Sequence, residues 1–252
     1  MATVFAYIDS SDRVAGSAGN FTIQLPEPVQ LFQESKLRVD QVRLINGFLT
    51  VSGANDRFYW LDSTPALRSA TLSHGWFSAI NLASNFKAAL PSGFSVTYNQ
   101  ALNSLTISNS AGFTVPTDAD LATWSAPWPF AGTSPRNPCS CNTLLNNPGG
   151  IVTATSYTIP FVTVSPYDYL FLRSKRLASQ MCISARGQHD ILCRIDVNQP
   201  FGGLLTGGTP LQEALILGEG TISAIDFQLT DRLGNIVDPA HGALTFQLTF
   251  FP

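Results

Sequence analysis

Charge is what this 252-residue chain has least of: Asp, Glu, Lys and Arg together make up 12% of it, against a usual ~25%. The apolar share is ordinary at 44%, so Ser, Thr, Asn and Gln fill the gap, and such a surface suits lateral burial against other protein. Fourteen basic residues against 17 acidic ones leave a net charge of -3, which gives no electrostatic drive toward a phosphate backbone. Arg173, Lys175 and Arg176 form the only basic cluster and read as a solvated or interfacial loop rather than a nucleic-acid contact.

Histidine is scarcer still. His74, His189 and His241 share no i, i+2 or i, i+4 spacing, so the clustered-histidine metal chemistry that some jelly rolls support has no anchor. The four cysteines, Cys139, Cys141, Cys182 and Cys193, are too few for a disulfide scaffold, and the single residue between Cys139 and Cys141 is atypical of zinc knuckles. No G-x-S-x-G elbow and no phosphate-cradling glycine loop is present. The expectation is a protein that is not an enzyme and needs neither metal nor cofactor. No apolar run approaches the ~18 residues of a membrane span, and the N-terminus has no basic start with a long apolar core. Synthesis in a cytosolic compartment is expected, with no direct membrane binding.

What the chain does have is alternation. Leu244, Phe246, Leu248 and Phe250 fall on one face of a final strand, with Thr245, Gln247 and Thr249 on the other, the period of two that a pleated sheet imposes. Residues 224 to 229 alternate in the same way, with the turn L-T-D-R-L-G-N-I-V-D between, where Asp231 and Gly234 are the turn-forming residues. Phe21, Ile23 and Leu25 predict a strand that Pro26 and Pro28 end. In residues 36 to 44 the apolar phase switches between Leu37/Val39 and Val42/Leu44, as an inserted bulge residue would cause. One helix interrupts the pattern, at residues 79 to 90, where Ala79, Leu82, Ala83, Phe86 and Leu90 recur at three- and four-residue steps. Ser78 caps its start and P-S-G stops it. A hairpin follows, F-S-V-T-Y-N returning through N-S-L-T-I. About eight to ten long strands with no internal repeat predict an all-β fold, a single jelly-roll antiparallel β-sandwich with an inserted helix plus β-hairpin. The domain is taken as residues 1–252, with 73–150 as the inserted helix-hairpin and irregular loop region.

Two segments are candidates for contact. Asp9-Ser10-Ser11-Asp12-Arg13 follows a strand and has the composition of an Asx-type turn with an internal ion pair among Asp9, Asp12 and Arg13. Residues 116–148 read as a long irregular loop carrying Trp124, Trp128 and Phe130, too aromatic for a solvated linker and expected to pack against a neighbouring subunit or the domain's own flank. Exposed on such a loop, Trp124 and Trp128 would suit a glycan or receptor, the alternative reading of a glycan-binding fibre or vertex head.

The order of these pieces resembles the minor capsid, or penton, proteins of virophages, polinton-like viruses and adomavirus-like relatives, whose major capsids are double jelly rolls. The resemblance is carried by the strand ending in D-S-S-D-R (9–13), F-T-I-Q-L (21–25), V-R-L-I-N-G-F (42–48), G-W-F-S (75–78) before the helix, and the hairpin of 94–107. It continues through Y-L-F-L-R-S (169–174), I-L-C-R-I-D-V (191–197) and the closing F-Q-L-T-D-R-L-G-N-I-V-D…L-T-F-Q-L-T-F-F. A leucine-glycine-phenylalanine motif often seen after the hairpin is replaced here by the Trp- and Pro-rich stretch 124–130. The resemblance implies a structural protein of the virion: a homopentamer that closes icosahedral vertices and contacts trimers of the major capsid protein.

Overall fold

The computed structural model describes residues 3–62, 66–123, 139–145, 152–177, 190–209, 214–232, 234–239 and 242–251. Two compact units emerge, one made of Met1–Phe48 with Tyr167–Pro252, the other of Leu49–Pro166. In chain order the first unit opens with β1 (Val4–Asp9), β2 (Ala15–Ser17), β3 (Asn20–Leu31) and β4 (Lys36–Ile45). The second holds β5 (Arg57–Leu61), β6 (Leu67–Thr71), α1 (Ala79–Ala89), β7 (Phe94–Asn99), β8 (Ser104–Val115), α2 (Asp118–Thr123) and β9 (Val152–Ile159). The first then resumes with β10 (Tyr169–Arg173), β11 (Ile191–Asp196), β12 (Leu204–Gly207), β13 (Leu215–Ile216), β14 (Gly220–Thr230) and β15 (Thr245–Phe251).

The fold is all-β and antiparallel, and the strand order of the first unit is that of a jelly roll. Its strands follow the path β1-β15-β4-β12-β11-β10-β14-β3-β2, with β13 also on β4. Cut at the β11–β12 link, which is a single pairing of Ile195 with Gly207, the path gives two four-stranded halves, β1-β15-β4-β12 and β11-β10-β14-β3. These eight strands have the connectivity of two Greek keys. The halves close face to face: Phe227 of β14 and Phe246 of β15 meet with ring centroids 4.9 Å apart, and one buried cluster takes in both. Each Leu, Ile or Phe so buried contributes about 1.5–3 kcal/mol relative to exposure. The last two long strands are therefore not partners in a hairpin: β14 pairs with β3 and β10, β15 with β1 and β4.

Local chemistry explains the details. Phe21, Ile23 and Leu25 are buried, as their alternation predicts. β3 does not end at its prolines, however, but continues to Leu31. Its register against β14 jumps from Gln24↔Ala224 to Val29↔Ile222, so Leu25 to Pro28 bulge out opposite Ser223. A proline is tolerated there because no ladder N–H is required of it. In β4 the phase switch is a bulge: Gln41 has φ +51°, and the pairing with β15 slips between Asp40↔Gln247 and Arg43↔Thr245. Leu37, Val39, Val42 and Leu44 are consequently all buried.

The second unit has its own sheet, β6-β5-β8-β7 with β9 on β8. The hairpin pairs Phe94↔Asn109 through Asn99↔Ser104, and Ser78 Oγ caps α1 by accepting from Asn81 N at 3.3 Å. Leu82 and Phe86 are fully buried, Phe86 meeting Phe58 edge-on at 5.8 Å. Trp60 stands 6% exposed against Phe58 and Phe94 and is a core residue. The unit extends from residue 49 to 166, beyond the 73–150 read as inserted, since β5 and β9 both pair with β8. Within the stretch read as irregular, Thr117 and Asp120 cap α2 reciprocally, and Ser140 bridges to Arg57 before a turn of 3-10 helix, Cys141–Thr143. A T-x-x-D signature was there to be read at its start.

Candidate functional site

The two turn motifs come together at one end of the jelly roll. β1 ends and β15 begins at Asp9↔Thr245, while β14 ends beside the start of β3, at Gln228↔Asn20. The D-S-S-D-R segment is the corner between β1 and β2. Asp9 Oδ1 accepts from Ser11 N at 2.7 Å, the Asx turn its residue types predict. Buried Ser10 locks the corner to β15, donating N–H to Leu244 O and accepting from Leu244 N, each at 3.0 Å. The internal ion pair does not form. Arg13 sends its guanidinium to the carbonyls of Ser10, at 2.9 Å, and Gly16, at 3.2 Å. The fork of Arg reaches both carbonyls at once. Asp12 sits in the single 3-10 turn that separates the two strands.

Across the same end, Asp231 closes the turn after β14. Its carboxylate accepts from Asn235 N and Asn235 Nδ2, both at 2.9 Å, and Gly234 takes φ +89°, which a side chain would strain. Here the chain passes close to the first corner: a Cβ on Gly19 would stand 2.1 Å from Val237 O. The chain also leaves for the second unit and returns at adjacent points, Phe48 and Tyr167 meeting edge-on at 5.1 Å. Burial pushes the Tyr167 phenol up, and the charge of Asp231 adds to it. Asp9 and Arg13 thus bond within their own corner, and Asp231 within its own turn.

Of the basic cluster, Arg173 pairs with Asp190 at 2.6 Å, while the Asp226 carboxylate accepts from the backbone N–H groups of Lys175 and Arg176 at 3.0 and 2.9 Å. The backbone of the loop is thus folded around an internal carboxylate, and Lys175 and Arg176 stay exposed. Nothing in the spacing of Asp226, 50 residues downstream of Arg176, signals this contact.

One ionisable group of side chains lies in the second unit. His74 Nε2 is 2.8 Å from Asp56 Oδ2, Arg57 Nε is 3.6 Å from Asp56 Oδ1, and Arg57 N donates to Cys139 O at 2.8 Å. Burial pushes the thiols of Cys139 and Cys141 up, with Asp56 adding to both, and the Tyr59 phenol up to about 12. A thiol held protonated is a poor nucleophile and a poor metal ligand. Among the described residues no three His, Cys, Asp or Glu side chains converge as a metal site. Cys193 is buried in β11 of the first unit.

Sequence reading missed the row on β1. Phe5 and Tyr7 face outward on that strand, 55% and 78% exposed, while Ile8 is buried. Their alternation was visible, but which face of β1 would be covered was not. Trp124, Trp128 and Phe130 lie outside the described residues, as do Cys182, His189 and His241.

No protein-family model matches the sequence, and no curated protein matches it. Among solved structures, the chain is similar to a crystal structure of the mavirus penton protein, with a TM-score of 0.48 and 8% identity over 99% of each chain.

Proposed function

We propose that this chain is a structural protein of a viral capsid, the penton subunit. Five copies close each icosahedral vertex and contact surrounding trimers of the major capsid protein in the virion. The observation that carries the reading is the strand order of the first unit, eight strands in two facing halves, with the second unit leaving between β4 and β10. The resembling motifs at 9–13, 21–25, 42–48, 169–174 and 191–197 and in the closing strands follow that order, and those at 75–78 and 94–107 fall in the second unit. On this reading residues 1–252 are one capsid subunit, with the second unit carried as an insertion. The mechanism is geometric. The subunit repeats around a five-fold axis through a heterologous interface, and the low charge density lowers the desolvation cost of burying its flanks.

Native mass spectrometry of the purified chain tests this directly. A mass of five chains is expected; a stable monomer or trimer at micromolar concentration overturns it. Assembly and melting temperature are expected to be indifferent to chelators, because a metal bound to the native state would stabilise it by mass action.

A further inference from the structure

We propose that the outer edge of β1 is a docking edge for an extended segment of a partner chain, taken up as an additional strand. The path of the first unit's sheet has two ends, β1 and β2, and they are treated in opposite ways. β2 is blunted: three residues long, with Gly16 at φ +92° and the Gly16 carbonyl capped by Arg13 Nε at 3.2 Å. β1 pairs with β15 through six consecutive residues, Val4↔Phe250 to Asp9↔Thr245, without a bulge, and no described strand lies on its other side. It carries no Lys, no Pro and no inward charge, the devices by which natural edge strands are protected. Its one charged residue, Asp9, is committed to Ser11 N. Beside this bare edge stand Phe5 and Tyr7, 55% and 78% exposed.

The edge itself specifies its occupant. Backbone N–H and C=O groups alternate outward along β1, and only another extended chain presents acceptors and donors at that repeat. A second copy offering its own β1 does not suffice. A six-residue ladder is ~20 Å long and buries on the order of several hundred Å², short of the ~1,200 Å² of a stable specific interface. A two-fold pair would also not propagate around a five-fold ring. The occupant is therefore a tail or loop of a partner already held nearby, where tethering supplies the effective concentration that the short ladder needs. Aromatic or β-branched side chains opposite Phe5 and Tyr7 make the best cross-strand pairs. That the partner is another capsid chain rests on the capsid reading; the chemistry of the edge does not.

Hydrogen exchange on the intact chain tests the edge. The probe is a lysine-flanked peptide with the sequence of residues 245–250, which in β15 already pairs with β1 through the opposite edge. At millimolar peptide the outward amides of β1 are expected to slow at least tenfold, with no slowing by the same peptide carrying a central proline. Tyr7→Lys should abolish the effect without lowering the melting temperature, since its side chain is exposed. The proposal is overturned if the probe slows nothing, if both peptides act alike, or if the edge amides are already protected in a concentration-dependent dimer of the chain alone. The mass of five chains is a separate readout, so the docking edge and the capsid reading stand or fall separately.

Discussion

The two units satisfy their buried backbone in different ways. In the first, long ladders dominate: β3 with β14, β4 with β15 and β1 with β15 run through most of their length, the core is the inward row of each strand, and buried Asn46 adds bonds to Gln199 O and from Phe48 N. In the second, buried asparagines stand in where ladders stop. Asn85 of α1 accepts from Ser73 N at 3.0 Å and donates to Ser73 O at 2.9 Å; Asn55 does the same for Ser52 N and Thr50 O; Asn142 donates to Pro116 O at 3.0 Å. A side-chain amide mimics a missing strand, since it carries one donor group and one acceptor in a plane. The lesson is that the first unit is insured by repetition, while the second depends on a few irreplaceable polar groups and buries ionisable ones among them.

The sharpest break with this comparison would come from the closing strand. Leu248→Asp places an unpaired charge in the core at a cost of several kcal/mol, comparable with the whole stability of a domain, and soluble folded protein should be lost. A cooperative melt by circular dichroism in that variant would show that the ladders alone hold the first unit. Asn85→Ala should cost about 1–3 kcal/mol, because Ser73 N and Ser73 O are left without partners. Hydrogen exchange should show that loss confined to 49–166, and equal loosening in β14 or β15 would contradict the separation of the units.

Alkali offers a milder probe. Cys139 and Cys141 are raised from an ordinary 9.0, and Tyr59 from 10.0 to about 12, all chiefly by burial. A raised acid pKa means that the unfolded chain loses its proton first. Stability is thus complete below pH ~9 and declines as pH rises through the folded-state values. Melting temperatures from pH 8 upward, with tyrosinate absorbance as the second readout, should show the second unit yielding before the first, where Tyr167 is raised. The smallest effect is expected on the outer face of β15. Gln247 lies opposite Asp40, so Gln247→Asp should cost about 0.5–1 kcal/mol through like-charge apposition, and Gln247→Lys close to nothing. Equal damage from the two would mean that this face is itself covered.

Much of the fold was legible from short range. The inward set of β3, the bulge in β4, the capped helix α1 and the hairpin of β7 and β8 each follow from residues a few positions apart. The Asx turn at Asp9 was legible for the same reason, and the ion pair was not, because Arg13 had carbonyls of Ser10 and Gly16 to choose from that only the folded corner presents. Pro26 and Pro28 misled because a proline ends a strand only when its N–H is needed, and the bulge opposite Ser223 removes the need.

Composition, periodicity and turn chemistry by themselves determined that this chain is built of antiparallel strands interrupted by the helix α1, and which side chains of β3, β4 and β15 form their inward rows. Only the tertiary structure decided which strands are neighbours: that β14 and β15, adjacent in sequence, face each other across the core, and that Val4 pairs with Phe250. The physical reason is that ladder hydrogen bonds are made by backbone groups every residue shares. Burial leaves its mark on the sequence, but pairing leaves almost none, and an edge such as that of β1 becomes visible only when the other strands have found their partners.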